Sequence, residues 1–147
     1  MAIIDRNAVF FEGSLTANAT GNTVALTACK LPGRMEPMPL RLSVTEAFLP
    51  AEVQNLSIDM EQAAQPDGPW TSVPGGSVSI AHSAAAPTLD LGARPYLRFL
   101  PQGARQPYLR LRFSLTPVSG QNVSQGRIFA ALTREEDLPY EAALMVR

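Results

Sequence analysis

The chain has 147 residues, of which 46% are hydrophobic and 17% are charged, and its formal net charge at pH 7 is −1. This length and apolar content favour a single globular domain over residues 1–147 and exclude a disordered chain. The near-neutral charge argues against a general nucleic-acid binder, and no apolar run approaches the ~20 residues of a membrane helix, so a soluble protein is expected.

Short segments in which apolar and polar residues alternate recur along the chain, and this period of two predicts β-strands. The predicted strands lie at 23–28, 40–45, 56–61, 78–80, 97–99, 108–117 and 127–133. The clearest is 108–117, where Leu109, Leu111 and Phe113 fall on one face. Arg110 and Arg112 fall on the other, because successive strand side chains point to opposite faces.

The segments between these strands contain turn residues, since most of the 13 prolines and 10 glycines lie there. Two such segments, 66–69 and 74–76, stand on either side of Trp70 and are predicted to be turns. The best helical candidate, 45–56, is interrupted by Pro50, so at most a short helical turn is expected there. The sequence therefore predicts an all-β, antiparallel β-sandwich with little or no helix.

Residues suited to catalysis or metal binding are scarce. His82 is the single histidine and alternates with Val78 and Ile80, which predicts a partly buried side chain with satisfied hydrogen bonds. The alternative is a hydrolase in which His82 acts with a residue from elsewhere in the fold. Cys29 stands alone and is expected in the core, and the acidic run 135–137 is expected to be an exposed loop. No catalytic, cofactor-binding or metal-binding residue is predicted, and an enzyme is not expected.

The surface features are more informative. Arg110 and Arg112 share a strand face, and Arg98 is placed on a neighbouring strand, which gives either a solvated cationic face or a partner surface. Trp70 is expected either to plug its own loop or to serve as an exposed aromatic anchor. Phe10 and Phe11 belong to apolar terminal segments, 1–11 and 134–147, which either dock on their own domain or act as contact arms.

Three segments, taken in chain order, also show a family resemblance. They are Val44-Thr45-Glu46-Ala47-Phe48, then Leu100-Pro101-Gln102-Gly103 with Tyr108-Leu109-Arg110-Leu111, and finally Gly126-Arg127-Ile128-Phe129-Ala130-Ala131-Leu132. These resemble motifs of the cement, or head-decoration, proteins of Bordetella-type tailed bacteriophages. The chain departs from that pattern at Arg105-Gln106-Pro107, and Ala131 stands where the family has glycine.

The resemblance implies a jelly-roll-like fold and a homodimer that binds the outer face of an icosahedral shell, on the virion surface, after assembly in the host cytoplasm. The expected partner is the major capsid protein, with no direct contact to nucleic acid or membrane and no cofactor. Arg98, Arg110 and Arg112 are the expected partner-facing residues, and Trp70, Phe10 and Phe11 are further contacts. The alternative is a carbohydrate-binding β-sandwich of a phage tail or receptor-binding structure, whose aromatic platform would come from Trp70, Tyr96 and Tyr108.

Overall fold

The computed structural model describes residues 6–26, 40–94 and 106–132, and within these ranges it is an antiparallel β-sandwich of two sheets. A 3-10 helix, Arg6–Ala8, precedes the strands. The strands are β1 Val9–Ser14, β2 Ala19–Thr20, β3 Val24–Ala25, β4 Leu40–Glu46, β5 Val53–Ala63, β6 Thr71–Ala81, β7 Tyr108–Pro117 and β8 Arg127–Leu132. The all-β prediction is confirmed.

The strand order is that of a jelly roll, in which a long antiparallel ribbon of paired strands is rolled into two sheets. The small sheet has the order β1-β8-β4, and the large sheet has the order β2-β7-β5-β6, with β3 beside β2 on the same edge of β7. The first strand pairs with the last, β2 and β3 pair with β7, and Val44 of β4 exchanges backbone hydrogen bonds with Gly92 and Ala93. Rolling this ribbon places β8 beside β4 and β7 beside β5, which gives the jelly-roll arrangement.

The core lies between the two sheets and follows the predicted alternation. The inward side chains of β7, Leu109, Leu111 and Phe113, have no solvent exposure. They pack with inward residues of the other long strands, which are Leu42, Val44, Leu56, Ile58, Met60, Ile128 and Ala130. The predicted strands at 40–45, 56–61, 108–117 and 127–133 are present, and β5 is longer than predicted at both ends.

The prediction of a turn at 74–76 is wrong, because this segment lies inside β6. Asp59 of β5 pairs with Ser77 and Glu61 pairs with Ser72, so β6 has extra residues between these two register points. They form a bulge at the edge of the sheet, where proline and glycine interrupt the ladder without ending the strand. The other predicted turn, at 66–69, does lie between β5 and β6.

The N-terminal segment also differs from the expected contact arm. Residues 9–14 form β1 at the edge of the small sheet, and the Phe10 side chain is fully buried in the core. Phe11 is half-buried, and its ring centroid lies 5.0 Å from that of Phe113. Phe10 and Phe11 therefore pack on their own domain, which excludes Phe10 from a partner-facing role. Residues 1–5 of the predicted arm lie outside the described residues. The arm at 134–147 and the predicted strand at 97–99 lie outside the described residues.

One end of the sandwich closes on Phe48, which is buried against Gly126. A Cβ at Gly126 would lie 2.3 Å from Cε1 of Phe48, so no side chain fits there. The loop before β8 is also held by polar contacts, because Glu46 Oε1 accepts from the Gly126 amide at 3.0 Å and Gln125 Nε2 donates to Ala47 O at 2.9 Å. The sequence 45–48 is thus joined to the start of β8.

We expect Gly126→Ala to destabilise the fold by about 1–3 kcal/mol more than Gly13→Ala, because only the first change forces a methyl group into Phe48. The two glycines form a matched pair, since their φ angles are +142° and +147° and a Cβ at Gly13 would meet nothing within 4 Å. Urea unfolding of both variants measures the difference. Equal losses of stability would contradict the close packing of Phe48 on Gly126.

The inward and outward residues of β7 give a second stability test. Leu111→Ala should lower the free energy of unfolding by about 2–5 kcal/mol, because it leaves a cavity at a fully buried position. Arg112→Ala, one residue along on the exposed face, should change it by less than about 0.5 kcal/mol. Thermal or chemical unfolding measures both, and a similar cost for the two changes would contradict the assigned faces of β7.

Candidate partner-binding face

The outer surface of the large sheet, which we call the arginine face, consists of the outward side chains of β5, β6 and β7. Cross-strand register arranges them in three rows across these strands. The rows are Ser72-Glu61-Arg110, Ser77-Asp59-Arg112 and Ser79-Ser57-Ser114. The face therefore has acidic residues on its middle strand, arginines on one side and serines on the other.

Arg110 is held in place by two interactions on this face. Its Nε donates to Glu61 Oε1 at 3.2 Å, and the two side chains are 26% and 13% exposed. Its guanidinium carbon also lies 4.2 Å from the ring centroid of Trp70, which is a close cation–π contact. The charge of Arg110 is thus largely compensated by Glu61. The residue also holds the side chains of Glu61 and Trp70 in place on this face.

Trp70 lies immediately before β6 and is half-buried. The Arg110 guanidinium covers its ring, and a Cβ at Gly68 would lie 2.9 Å from the Trp70 Cδ1 atom. The ring is therefore enclosed by its own turn and by β7. Of the two predicted roles, this arrangement favours the plug over the exposed anchor, because a covered ring offers little flat surface to a partner.

Arg112 differs from Arg110 although both lie on the same strand face. Its side chain is exposed, and its register partners are Asp59 of β5 and Thr20 of β2. Among the described residues, no carboxylate lies within ion-pair distance of Arg112, and Asp59 forms no ion pair either. Arg112 therefore presents its guanidinium, with a planar set of donors and no direct ion pair among the described residues, to solvent.

The remaining part of the arginine face is polar and ordered. Asn55 Nδ2 donates to Ser57 Oγ at 3.1 Å, and Ser79 Oγ donates to Asn55 Oδ1 at 3.1 Å. This small network joins β5 to β6 across the outer surface. Its side chains are short and β5 is hydrogen-bonded on both sides, so the face is a stiff platform of hydroxyl and amide groups.

His82 is a structural residue and lies away from this face. It is 3% exposed, its Nε2 donates to Phe48 O at 2.9 Å, and its Nδ1 accepts from the Thr88 and Leu89 amides at 3.1 and 3.2 Å. Both ring nitrogens are thus occupied by main-chain groups. The prediction of a satisfied histidine is confirmed, and its burial is nearly complete. No group of three or more metal-ligating side chains occurs among the described residues.

The structure brings together three of the predicted contact residues and separates the others. Arg110, Arg112 and Trp70 share the arginine face, whereas Phe10 and Phe11 pack into the core from the small sheet. Arg98 lies outside the described residues. Glu61 is not among the predicted site residues, although it compensates the charge of Arg110. Its alternation with Met60 indicates an outward position, but the pairing with Arg110 depends on a register between strands far apart in the chain.

Comparison with known proteins adds no family assignment, because no protein-family model and no curated protein matches the chain. Across the described ranges, no helix has the length and apolar character needed to cross a membrane.

The role of Arg110 can be tested with the single tryptophan as a probe. Arg110→Ala should shift the Trp70 emission maximum to longer wavelength, because the ring loses its guanidinium cover and meets water. A double-mutant cycle of Arg110→Ala and Glu61→Ala should give a coupling free energy of about 1 kcal/mol, as expected for a partly exposed pair. Arg112→Ala is the matched control and should leave the emission unchanged. An unchanged spectrum in Arg110→Ala would contradict the stacking.

Proposed function

We propose that this protein is a capsid cement, or decoration, protein that binds the outer face of a bacteriophage shell and bridges neighbouring capsid subunits. Three features support the proposal: the resemblance of three ordered segments to that family, the jelly-roll arrangement of the strands, and the polar arginine face. The observation that favours an interaction surface most directly is the exposed Arg112 guanidinium, which lacks an acidic partner among the described residues.

The size of the arginine face is suited to this role. Strands β5 and β6 have 11 residues each and β7 has 10. At about 3.4 Å per residue and about 4.8 Å between strands, these three strands offer roughly 520 Å² of outer surface. A standard protein–protein interface buries about 800 Å² on each partner, so the face with its surrounding loops is large enough for a specific contact.

Cementing requires many moderate contacts rather than one strong one. A contact of micromolar affinity corresponds to about 8 kcal/mol, and a homodimer that engages two capsid subunits gains an effective-concentration advantage for its second contact. Arginines that meet carboxylates at such a contact add directional hydrogen bonds and fix its register. A stiff sheet suits this task because little conformational freedom is lost when the contact forms.

The two alternative functions have less support from the described residues. A carbohydrate platform needs an exposed aromatic ring, but Trp70 is covered by Arg110, Tyr108 is half-buried, and Tyr96 lies outside the described residues. A hydrolase based on His82 needs an accessible ring nitrogen, but both nitrogens are buried and bonded to the main chain. Interaction through the arginine face therefore remains our proposal.

Co-sedimentation with purified empty shells of the same virion tests this function. The intact protein should pellet with the shells, and Arg112→Glu should weaken the association at least about tenfold, because it places like charges opposite each other at the contact. Arg6→Glu is the matched control, since Arg6 is also exposed but lies on the 3-10 helix away from the arginine face.

Failure of the intact protein to pellet with shells would contradict the cement function. If Arg112→Glu and the intact protein pelleted equally, the cement function would stand and the arginine face would be the wrong surface. Glycan-array binding by the intact protein that is lost in Trp70→Ala would instead support the carbohydrate-binding alternative.

A further inference from the structure

A second surface lies on the opposite side of the sandwich, where a cleft of about 510 Å³ occupies the outer face of the small sheet. All three strands of that sheet contribute to it. The lining residues are Glu12 and Gly13 of β1, Arg41, Ser43 and Thr45 of β4, and Arg127 and Phe129 of β8. We call this surface the small-sheet cleft. It contains two arginines, one glutamate and one aromatic ring.

The register of the small sheet determines where each charge lies. Phe129, on the central strand, pairs with Ser43 on one side and Glu12 on the other. Arg41 precedes Ser43 by two residues on the same face of β4, and Arg127 precedes Phe129 by two residues on β8. Phe129 therefore forms the floor of the cleft, Glu12 lies on the β1 wall, and Arg41 lies on the β4 wall.

Arg41 has a donor that the described part of the chain does not satisfy. Its guanidinium carbon lies 5.8 Å from the centroid of the Phe129 ring, and its Nε atom is buried without a hydrogen-bond acceptor. A buried donor without an acceptor is unfavourable and is rare in folded proteins. Arg127 is exposed and lines the same cleft, and neither arginine forms an ion pair among the described residues. The residues that line the cleft thus leave the Arg41 Nε donor without an acceptor.

We infer that the small-sheet cleft binds a carboxylate side chain on an acidic segment of a protein partner. The planar donor set of arginine matches a carboxylate, and Phe129 offers an apolar surface to the methylene groups of a glutamate. The charges of Arg41, Arg127 and Glu12 sum to about +1, which suits a singly charged carboxylate better than a doubly charged phosphate. This inference stands on the cleft alone and does not require the proposed function.

Glu12 gives the β1 wall of the cleft a negative charge, opposite in sign to the charge of Arg41 on the β4 wall. An acidic side chain is attracted to the β4 wall and repelled from the β1 wall, so the partner segment must present its carboxylate towards Arg41 and a donor towards Glu12. The hydroxyl groups of Ser43 and Thr45 supply further hydrogen-bonding capacity along β4. The inference therefore includes a specific prediction for Glu12: its removal strengthens the binding of a purely acidic ligand.

The test measures fluorescence anisotropy of a labelled peptide of alternating glutamate and serine, with a glutamine–serine peptide of the same length as control. The intact protein should bind the glutamate peptide, more weakly as salt rises, and should not bind the glutamine peptide. Arg41→Gln should weaken binding at least about tenfold. Arg41→Lys keeps the charge but removes the planar set of guanidinium donors, and should also weaken it.

Two further variants separate the cleft from general charge effects. Glu12→Gln should tighten binding of the glutamate peptide by about threefold or more, because a like charge is removed from the wall. Arg112→Gln changes the net charge as Arg41→Gln does, but lies on the arginine face and should leave binding unchanged. Thermal unfolding of each variant should show that the fold is retained.

Several results would overturn the inference. One is the absence of binding by the intact protein, and another is equal binding of the glutamate and glutamine peptides. A third is unchanged binding by Arg41→Gln, and a fourth is displacement of the peptide by inorganic phosphate at lower concentration than by acetate. Sedimentation that showed a dimer dissociated by both Arg41→Gln and Glu12→Gln would also overturn it, because the occupant would then be a second copy of this chain.

Discussion

The burial of one face of β7 is the constraint on which the rest of the structure depends. This strand pairs with β5 along its whole length and with β2 and β3 on its other edge. Its inward side chains Leu109, Leu111 and Phe113 have no exposure to solvent. Because the side-chain period of a strand is two, a slip of one residue would exchange these apolar groups for Arg110 and Arg112. The core therefore determines which charges the outer surface presents.

The alternation of inward and outward side chains leaves different charged groups on the two outer faces of the sandwich. On the arginine face, Arg110 is compensated by Glu61 and covers Trp70, whereas Arg112 is exposed and forms no ion pair with the described residues. On the small sheet, Arg41 packs over Phe129, and its Nε has no acceptor in the part of the chain that the structure describes. If both proposed contacts form, the two surfaces lie on opposite sides of one sandwich, which is the arrangement that our proposed bridging function requires.

Hydrogen bonds between loops hold one end of this unit. Glu52 accepts from the amide and hydroxyl of Ser124 at distances of 2.8–3.0 Å, and His82 joins the end of β6 to Phe48 and to the amides at 88 and 89. These contacts connect segments of both sheets, so the histidine and the carboxylate serve the architecture. Polar groups of this kind, when fully satisfied, restrict motion and favour one packing arrangement.

The sequence by itself determined the fold class, the limits of β7, the central parts of β4, β5 and β8, and the satisfied state of His82, because alternation and turn residues are local properties. Tertiary structure decided that Phe10 belongs to the core and that the Pro74 segment is a bulge inside β6. It also decided that Glu61 compensates Arg110, a residue 49 positions away. Each of these features depends on the register between strands. The local sequence pattern does not determine this register, because it is selected by the packing of the two sheets together.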